Sequence, residues 1–370
     1  MKRYIIIGSG KKAEVLYNIL KNNGIDIVFV DLFYKDREKN ICEHKVLNLK
    51  EFELSALTDL NETSIFIAKD YQFSLNDIYA HIHKCKIKSV SVFDGESFET
   101  LSLEDKPVIG YIEMHLVNHC NLNCRGCSHM SNLSPVDFIE EEYFEKEIEI
   151  LNGKFNVQTI RLMGGEPLLH PRISQLIAVT RDILPHSRIE LVTNGLLLVK
   201  MTDEFWQIIC DKGIVVSVSS YKPTMHISDG IIELFERHNI KYIFDISSKQ
   251  KNNKNYVFEF HKGLSNKKTH DGNKSSKVCF GKNCYFYKDF KISKCAYPAL
   301  IHLLNDKFST SYVVDQNDFI DVRDINDGWD ALKKLTEPMN FCSYCIEERP
   351  HKFEWTNVGE VLLSDYIVEK

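Results

Sequence analysis

Cys120, Cys124 and Cys127 form a C-x3-C-x2-C run inside the segment His115-Leu-Val-Asn-His-Cys-Asn-Leu-Asn-Cys-Arg-Gly-Cys-Ser-His129. A loop this tight can aim three thiolates at one centre, and cysteine thiolates are the usual ligands of iron–sulfur clusters. Three ligands on a four-iron cluster leave one iron open to a small chelating molecule. The competing chemistry is a zinc knuckle, which needs a fourth ligand that His129 is placed to supply.

Further along lies Arg161-Leu-Met-Gly-Gly-Glu-Pro-Leu-Leu-His-Pro171, where Gly164 and Gly165 let the backbone approach a ligand without a Cβ in the way. Leu191-Val-Thr-Asn-Gly195 and Val216-Ser-Val-Ser-Ser220 close two later apolar runs. Taken in this order, the cysteine loop, the Gly164-Gly165-Glu166-Pro167 turn and the Thr-Asn-Gly terminus resemble the radical S-adenosylmethionine (SAM) superfamily, over roughly Val108 to the C-terminus. The resemblance implies a 4Fe–4S cluster on Cys120, Cys124 and Cys127, with SAM chelating the open iron. It also implies that the backbone of the turn and Glu166 receive the methionine ammonium, with Asn194 and Ser217 as further contacts to SAM or substrate. Two positions depart from the pattern. Gly126 stands where relatives often carry an aromatic residue against the adenine, and Ser219 stands where they often carry a ribose-binding aspartate.

Cys279, Cys284, Cys295, Cys342 and Cys345 form a second group, with Cys342 and Cys345 as a C-x2-C pair that readily shares one metal. This set resembles the SPASM extension of radical SAM enzymes or its shorter twitch form, which implies an auxiliary 4Fe–4S cluster. Asp289-Phe-Lys-Ile-Ser-Lys-Cys295 has the shape of the Gly-x4-Cys element, with Phe290 in the glycine position. Five cysteines suit one four-ligand cluster with one left over, and Cys279 and Cys284 both qualify as the first ligand. The spare thiol, with Cys284 as the candidate, is either a hydrogen-atom donor to a substrate radical or a packed side chain. Zinc is the alternative metal for the set.

At the N-terminus, Ile6-Ile-Gly-Ser-Gly-Lys-Lys-Ala13 reads as G-x-G-x-x-A between strand and helix, and Asp31 ends the next strand. Glycines for a tight turn, a helix N-terminus for phosphate and an acid for ribose hydroxyls make Gly8, Gly10 and Asp31 candidate nucleotide contacts. The unit resembles the small N-terminal domain of bacterial sugar acyltransferases, which implies a nucleotide-sugar ligand. NAD binding and a packing or docking role are the alternatives.

The elements that must position these residues follow from alternation of short apolar runs with helical periodicity, which predicts α/β folding on parallel sheets. Strands are expected at Tyr4–Gly8, Ile25–Asp31, Ser64–Ala68 and Lys88–Phe93, then at Tyr111–Val117, Thr159–Met163, Ile189–Thr193, Ile214–Ser219 and Lys241–Asp245. Helices are expected at Ala13–Asn22, Phe138–Leu151 and Arg172–Leu184, and a helical stretch to about Cys85. Three domains result: a Rossmann-like domain over 1–106, a partial (β/α)6 radical SAM barrel over 107–276, and a small cysteine-rich twitch-like module over 277–370. In a barrel the chemistry collects at the C-terminal strand ends. Ser247–Lys277, rich in lysine and asparagine, reads as a solvated loop or a mobile cover for an anionic substrate.

Composition bounds the function. With 370 residues, 44% hydrophobic and 26% charged, the chain has ample material for packed cores, and a net charge of −6 argues against a general nucleic-acid or membrane-surface role. No stretch approaches the ~18 apolar residues of a membrane span, and the first apolar run is too short for a signal peptide, so a cytoplasmic enzyme is expected. Eleven cysteines in a reducing compartment point to metal ligation rather than disulfides, with the isolated Cys42, Cys85 and Cys210 read as small buried hydrophobes. The expected function is a radical SAM enzyme of oxidoreductase or epimerase type. It abstracts hydrogen from a carbohydrate or nucleotide-sugar and is supplied with electrons by a flavodoxin or ferredoxin. A SPASM-type peptide maturase and a non-enzymatic, zinc-stapled nucleotide-binding protein are the competing readings.

Overall fold

The computed structural model describes residues 2–21, 24–31, 40–48, 63–68, 75–84, 87–104, 106–246, 259–279, 281 and 283–368. The chain divides into two compact units, Met1–Gly110 with Asp327–Thr336, and Tyr111–Asn326 with Glu337–Lys370. Among the described residues no helix is long and apolar enough to cross a membrane.

The first unit is built on a seven-stranded sheet of β1 (Arg3–Ile7), β2 (Asp26–Asp31), β3 (Asn40–Ile41), β4 (His44–Asn48), β5 (Thr63–Ala68), β6 (Ser89–Phe93) and β7 (Phe98–Ser102), in the order β3-β4-β2-β1-β5-β6-β7. The five strands β4, β2, β1, β5 and β6 run parallel, and the edge strands β3 and β7 join as antiparallel partners. Ile5, Ile6, Phe29, Val30 and Ile67 are fully buried, as a parallel sheet covered on both faces requires. The helix Lys11–Leu20 covers it through Ala13 and Leu16, one turn apart. A second helix, Leu75–Lys84, packs against Gly328–Thr336, where the rings of His83 and Trp329 stack 3.8 Å apart. That last helix lies, in sequence, within the stretch read above as the C-terminal module.

In the second unit, β8 (Ile112–Val117), β9 (Thr159–Gly164), β10 (Arg188–Thr193), β11 (Val215–Val218) and β12 (Lys241–Ile243) are parallel neighbours in chain order. Glu141–Lys154, Ile173–Ile183, Asp203–Asp211 and Ser228–Arg237 are the long helices between them. The first begins three residues later than periodicity suggests. Phe138 instead bridges to Val117, and the Ile139 amide donates to the Leu116 carbonyl, so residues 137–139 run extended beside β8. Cys210 is exposed rather than buried, because Phe205, Trp206 and Ile209 take the core face of its helix. Cys42 is half-buried, and Cys85 lies outside the described residues.

Beyond β8 the sheet continues with β13 (Phe286–Lys288), parallel to it, then β14 (Lys291–Ser293) and β15 (Ile320–Asp321), both antiparallel to their neighbours. Within Ser247–Lys277, residues 247–258 lie outside the described set. Part of the remainder is ordered rather than a loop: Glu259–Lys262 pairs with His351–Glu354, and Gly272–Val278 is a helix capped by Asp271.

The turn joining β13 to β14 is Asp289–Phe290, and both residues have positive φ, 54° and 60°. That is the two-residue hairpin geometry in which glycine is common. Here Phe290 adopts it, its amide held at 2.6 Å by the carboxylate of buried Glu147, whose backbone carbonyl also accepts the Tyr287 hydroxyl at 2.9 Å. Burial pushes the Glu147 carboxyl up to about 7, with the Phe290 amide pulling the other way. A carboxyl raised on folding favours the protonated native state. Its stability contribution is full below about pH 4.5 and lost as pH rises through 7, on the order of 3 kcal/mol in all. Glu147→Gln is expected to lower the pH slope of the unfolding free energy between pH 5 and 7 by up to about 1.4 kcal/mol per unit, read from urea midpoints. An unchanged slope would show that this carboxyl does not titrate there.

Candidate functional site

The loop that follows β8 carries the first cysteine group. Cys120, Cys124 and Cys127 pack in one apolar cluster with Leu122, Leu196, Tyr221 and Trp355. Burial pushes the thiols of Cys120 and Cys124 up to about 12, and each also feels the sulfur of Cys127. Tyr221 feels all three sulfurs, and its ring stacks on that of Trp355 at 5.5 Å. Each sulfur has N–H groups directed at it. The Leu122 amide is 3.4 Å and Asn194 Nδ2 3.6 Å from Cys120 Sγ, and Trp355 Nε1 is 3.1 Å from Cys124 Sγ. Backbone amides of His129, Met130 and Ser131 serve Cys127. Such donors stabilise thiolate ligands of iron–sulfur clusters.

The glycine turn abuts this loop. A Cβ on Gly165 would lie 1.9 Å from the His119 carbonyl oxygen, and one on Gly164 would lie 2.4 Å from that of Val117. The close approach that demands glycine is therefore to the cysteine loop's own backbone, where the sequence pointed to a ligand. The Gly165 amide donates to the Val117 carbonyl at 2.6 Å and the Glu166 amide to that of His119 at 3.1 Å. Pro167 opens the short turn Pro167–Leu169. The fully buried Glu166 accepts from Thr193 Oγ1 (2.7 Å), the Asn194 amide (2.8 Å) and the Leu168 amide (3.1 Å). Its carboxylate thus braces β9 against β10, and burial pushes it up to about 7 against those three donors. Asn194 also reaches Asn121 Oδ1 at 2.7 Å.

Gly126 has φ +61°, and a Cβ there would meet the Phe353 ring at 2.6 Å and the Asp365 carbonyl at 2.7 Å. No aromatic side chain could grow from this position because another ring occupies its path.

Ser217 lies elsewhere, on a sheet face lined by polar groups. Arg161 donates to Ser217 Oγ (3.2 Å), Glu190 Oε2 (2.9 Å) and the Tyr111 hydroxyl (3.1 Å), while Tyr111 donates to Glu113 Oε1 (2.6 Å). Arg188 completes the pairing of Glu190 at 2.7 Å. His129 points to this face, 3.7 Å from Glu113 and stacked on buried His115, and not to the cysteines, so it is no zinc ligand for them.

The second cysteine group also gathers. The Gly272–Val278 helix packs on the turn Asn340–Tyr344, bringing Cys279 towards Cys342 and Cys345. The Cys345 thiol is pushed well up by burial and then by the sulfurs of Cys279, Cys295 and Cys342. Cys295 responds to burial, Cys279 and Cys342, and receives the Tyr297 amide. Cys284 differs. After burial, its foremost influence is the Glu113 carboxylate, followed by Cys279 and Cys295, with Arg161 opposing. Its place two residues before Phe286, which pairs with Glu113, puts it on the polar face. Tyr297 feels Cys345, Cys295, Cys279 and, from the first group, Cys127. Among the described residues no three His, Cys, Asp or Glu side chains are gathered tightly enough for a single metal ion. A four-iron cluster spreads its ligands wider than the ~2.3 Å zinc–sulfur bonds around one ion permit.

In the first unit, Gly8 has φ 129° and its amide donates to the Val30 carbonyl, while Gly10 precedes the first helix without a side-chain cap. Ser9 bonds Asp31, so the acid at the end of β2 is tied to the glycine turn.

Tyr221, Trp355, Glu113, His115 and Arg161 escaped the sequence reading. His115 and Arg161 merely open the two segments quoted above, the other three lie outside them, and Trp355 is 231 positions from the cysteine it touches.

Residues 114–247 match the family model of the Radical SAM superfamily. A protein of Syntrophomonas wolfei named GTP 3′,8-cyclase is 33% identical over 99 residues, 26% of this chain and 30% of its own length. One of the same name from Trichormus variabilis is 29% identical over 146 residues, 37% and 42% respectively, so the chain spans well under half of either relative. Among solved structures, BtrN in complex with AdoMet and 2-DOIA has a TM-score of 0.39 at 17% identity, over 64% of this chain and 92% of that one. Native anSMEcpe with bound AdoMet scores 0.40 at 14% identity, over 65% and 83%. The match to the Radical SAM superfamily takes in the three-cysteine loop and the adjoining glycine turn, and the cofactors that this family implies are a 4Fe–4S cluster and SAM.

Proposed function

We propose that this chain is a radical SAM enzyme acting on a carbohydrate or nucleotide-linked sugar, with Cys120, Cys124 and Cys127 holding the SAM-binding cluster. Cys279, Cys295, Cys342 and Cys345 hold an auxiliary one. The observation that carries the reading is the gathering of Cys120, Cys124 and Cys127 in one cluster against the Gly164–Gly165 turn, and what favours Cys284 as the spare thiol is its nearness to Glu113 and Arg161, with Cys279 and Cys295 also acting on it. When bound, the cluster and SAM supply a 5′-deoxyadenosyl radical that takes a hydrogen atom from a substrate C–H.

The chain's own residues hold and finish the substrate. Glu113, Arg161, Glu190, Tyr111 and Ser217 form an array of polar donors and acceptors, which suits a hydroxyl-rich molecule better than an apolar one. The relatives' printed name refers to GTP, a nucleotide that contains a sugar. Within the first unit, the Gly8, Gly10 and Asp31 turn is a nucleotide-binding candidate in its own right. Cys284 returns a hydrogen atom to the substrate carbon, which inverts it. The resulting thiyl is restored by one electron and one proton from a flavodoxin- or ferredoxin-type donor. Oxidation, with the auxiliary centre as electron acceptor, is the other outcome.

Cys279→Ala is expected to lose the auxiliary cluster, whereas Cys284→Ala keeps the full iron and sulfide content and still forms 5′-deoxyadenosine. If Cys284→Ala loses the cluster and Cys279→Ala keeps it, the two assignments are exchanged. The function itself is tested by anaerobic incubation with reductant, SAM and nucleotide-sugars, GTP or a candidate peptide, scored for 5′-deoxyadenosine. A sugar or nucleotide that raises the yield supports the reading, and a rise with peptide alone overturns it.

A further inference from the structure

We infer that Trp355 sets the reduction potential of the SAM-binding cluster through its indole N–H, an inference that rests on Cys120, Cys124 and Cys127 being that cluster's ligands. The indole Nε1 lies 3.1 Å from Cys124 Sγ, and the ring is buried in the same apolar cluster as the three cysteines. Cys120 and Cys127 receive backbone amides from their own loop, but the side-chain donor to Cys124 comes from 231 positions away.

The indole is held there by a strap. The segment after His351–Glu354 runs antiparallel to the cysteine loop, bridging Asn357 to Cys124. The Arg125 amide donates to the Thr356 carbonyl at 2.9 Å, the Val358 amide to that of Asn123 at 2.8 Å, and the Asn123 amide to Asn357 Oδ1 at 2.7 Å. Buried Asp365 fixes the loop from further along the same segment, taking Arg125 Nε at 2.6 Å. Tyr221 stacks on the indole with ring centroids 5.5 Å apart. These contacts leave the ring little freedom to turn its N–H away from the sulfur.

A donor aimed at a ligand sulfur stabilises the more negative, reduced state of the cluster more than the oxidised one, which raises the potential, and burial strengthens the interaction by lowering the local dielectric. Trp355→Phe keeps an aromatic ring in the stack and removes only the donor. A hydrogen bond to a sulfur is stronger the more negative charge that sulfur carries. Losing the part that differs between oxidation states is expected to reduce the reduced-to-oxidised ratio about tenfold at fixed potential, a negative shift of about 59 mV for one electron.

The test is an anaerobic redox titration of the full-length protein, followed by electron paramagnetic resonance. The relevant cluster is recognised as the one whose signal changes when SAM is added. Trp206→Phe is the control, since Trp206 is buried in the helix Asp203–Asp211 and its indole nitrogen has no hydrogen-bond partner among the described residues. The expected result is full iron content in both variants, with the potential lowered in Trp355→Phe and unchanged in Trp206→Phe. An unmoved potential, an equal shift in the control, or loss of the cluster from a folded Trp355→Phe protein would each overturn the inference. Wild-type protein with no SAM-responsive cluster would instead overturn the functional reading beneath it.

Discussion

Cys120→Ala is expected to abolish 5′-deoxyadenosine formation and to remove one cluster's share of iron and sulfide, leaving the auxiliary cluster's absorbance in place. The prediction follows from how the site is built. Three sulfurs share one pocket with Tyr221 and Trp355, and residues that act as a unit fail together, so removing one costs about as much as removing all. Cys120 also receives the Asn194 amide group at 3.6 Å, a contact that goes with the thiol. Anaerobic iron and sulfide analysis beside the turnover assay checks both halves. A variant that retained full iron and still cleaved SAM would remove Cys120 from the ligand set.

Gly165→Ala carries the second large effect. Its Cβ would stand 1.9 Å from the His119 carbonyl oxygen, 2.4 Å from the carbonyl carbon and 3.0 Å from the Cys120 amide. All three are backbone atoms, and no rotamer change relieves them. Moving the chains apart breaks the bonds from Gly165 to Val117 and from Glu166 to His119, which seat the turn on the cysteine loop. A destabilisation of about 3 kcal/mol or more is expected, together with failure to reconstitute the SAM-binding cluster. Gly153 in the helix Glu141–Lys154 makes the comparison, since nothing lies within 4 Å of its added Cβ. Gly153→Ala should stabilise the protein by about 0.5–1 kcal/mol. Urea midpoints for the pair read the difference, and equal midpoints would mean that the turn yields without cost.

The five parallel strands β8 to β12 were legible because each carries its own apolar run and each is separated from the next by helical periodicity. Burial of β8 at every position reads directly as an unbroken apolar segment, apart from Glu113 and His115. Those two exceptions were the available signal of a polar inner face, since charged and imidazole groups inside a buried strand demand partners. The helix Gly272–Val278 was missed because its stabilisation comes from the Asp271 cap and from packing on the turn that bears Cys342, with no amphipathic pattern of its own. Phe290 has the positive φ at which glycine is common, but how a phenylalanine tolerates it depends on Glu147 in a distant helix.

What the amino-acid order determined by itself was local: which residues form strands, where three thiols fall in one short loop, and where glycines allow a backbone to come close. Those properties depend on neighbours a few positions apart, so spacing carries them. Tertiary structure decided what the glycines approach and which ring stands where Gly126 has no side chain, and it set Cys284 within the influence of Glu113 as well as of Cys279 and Cys295. It also decided that an indole from 231 positions away donates to Cys124. These depend on which surfaces meet once the chain has closed on itself, and no local pattern encodes that meeting.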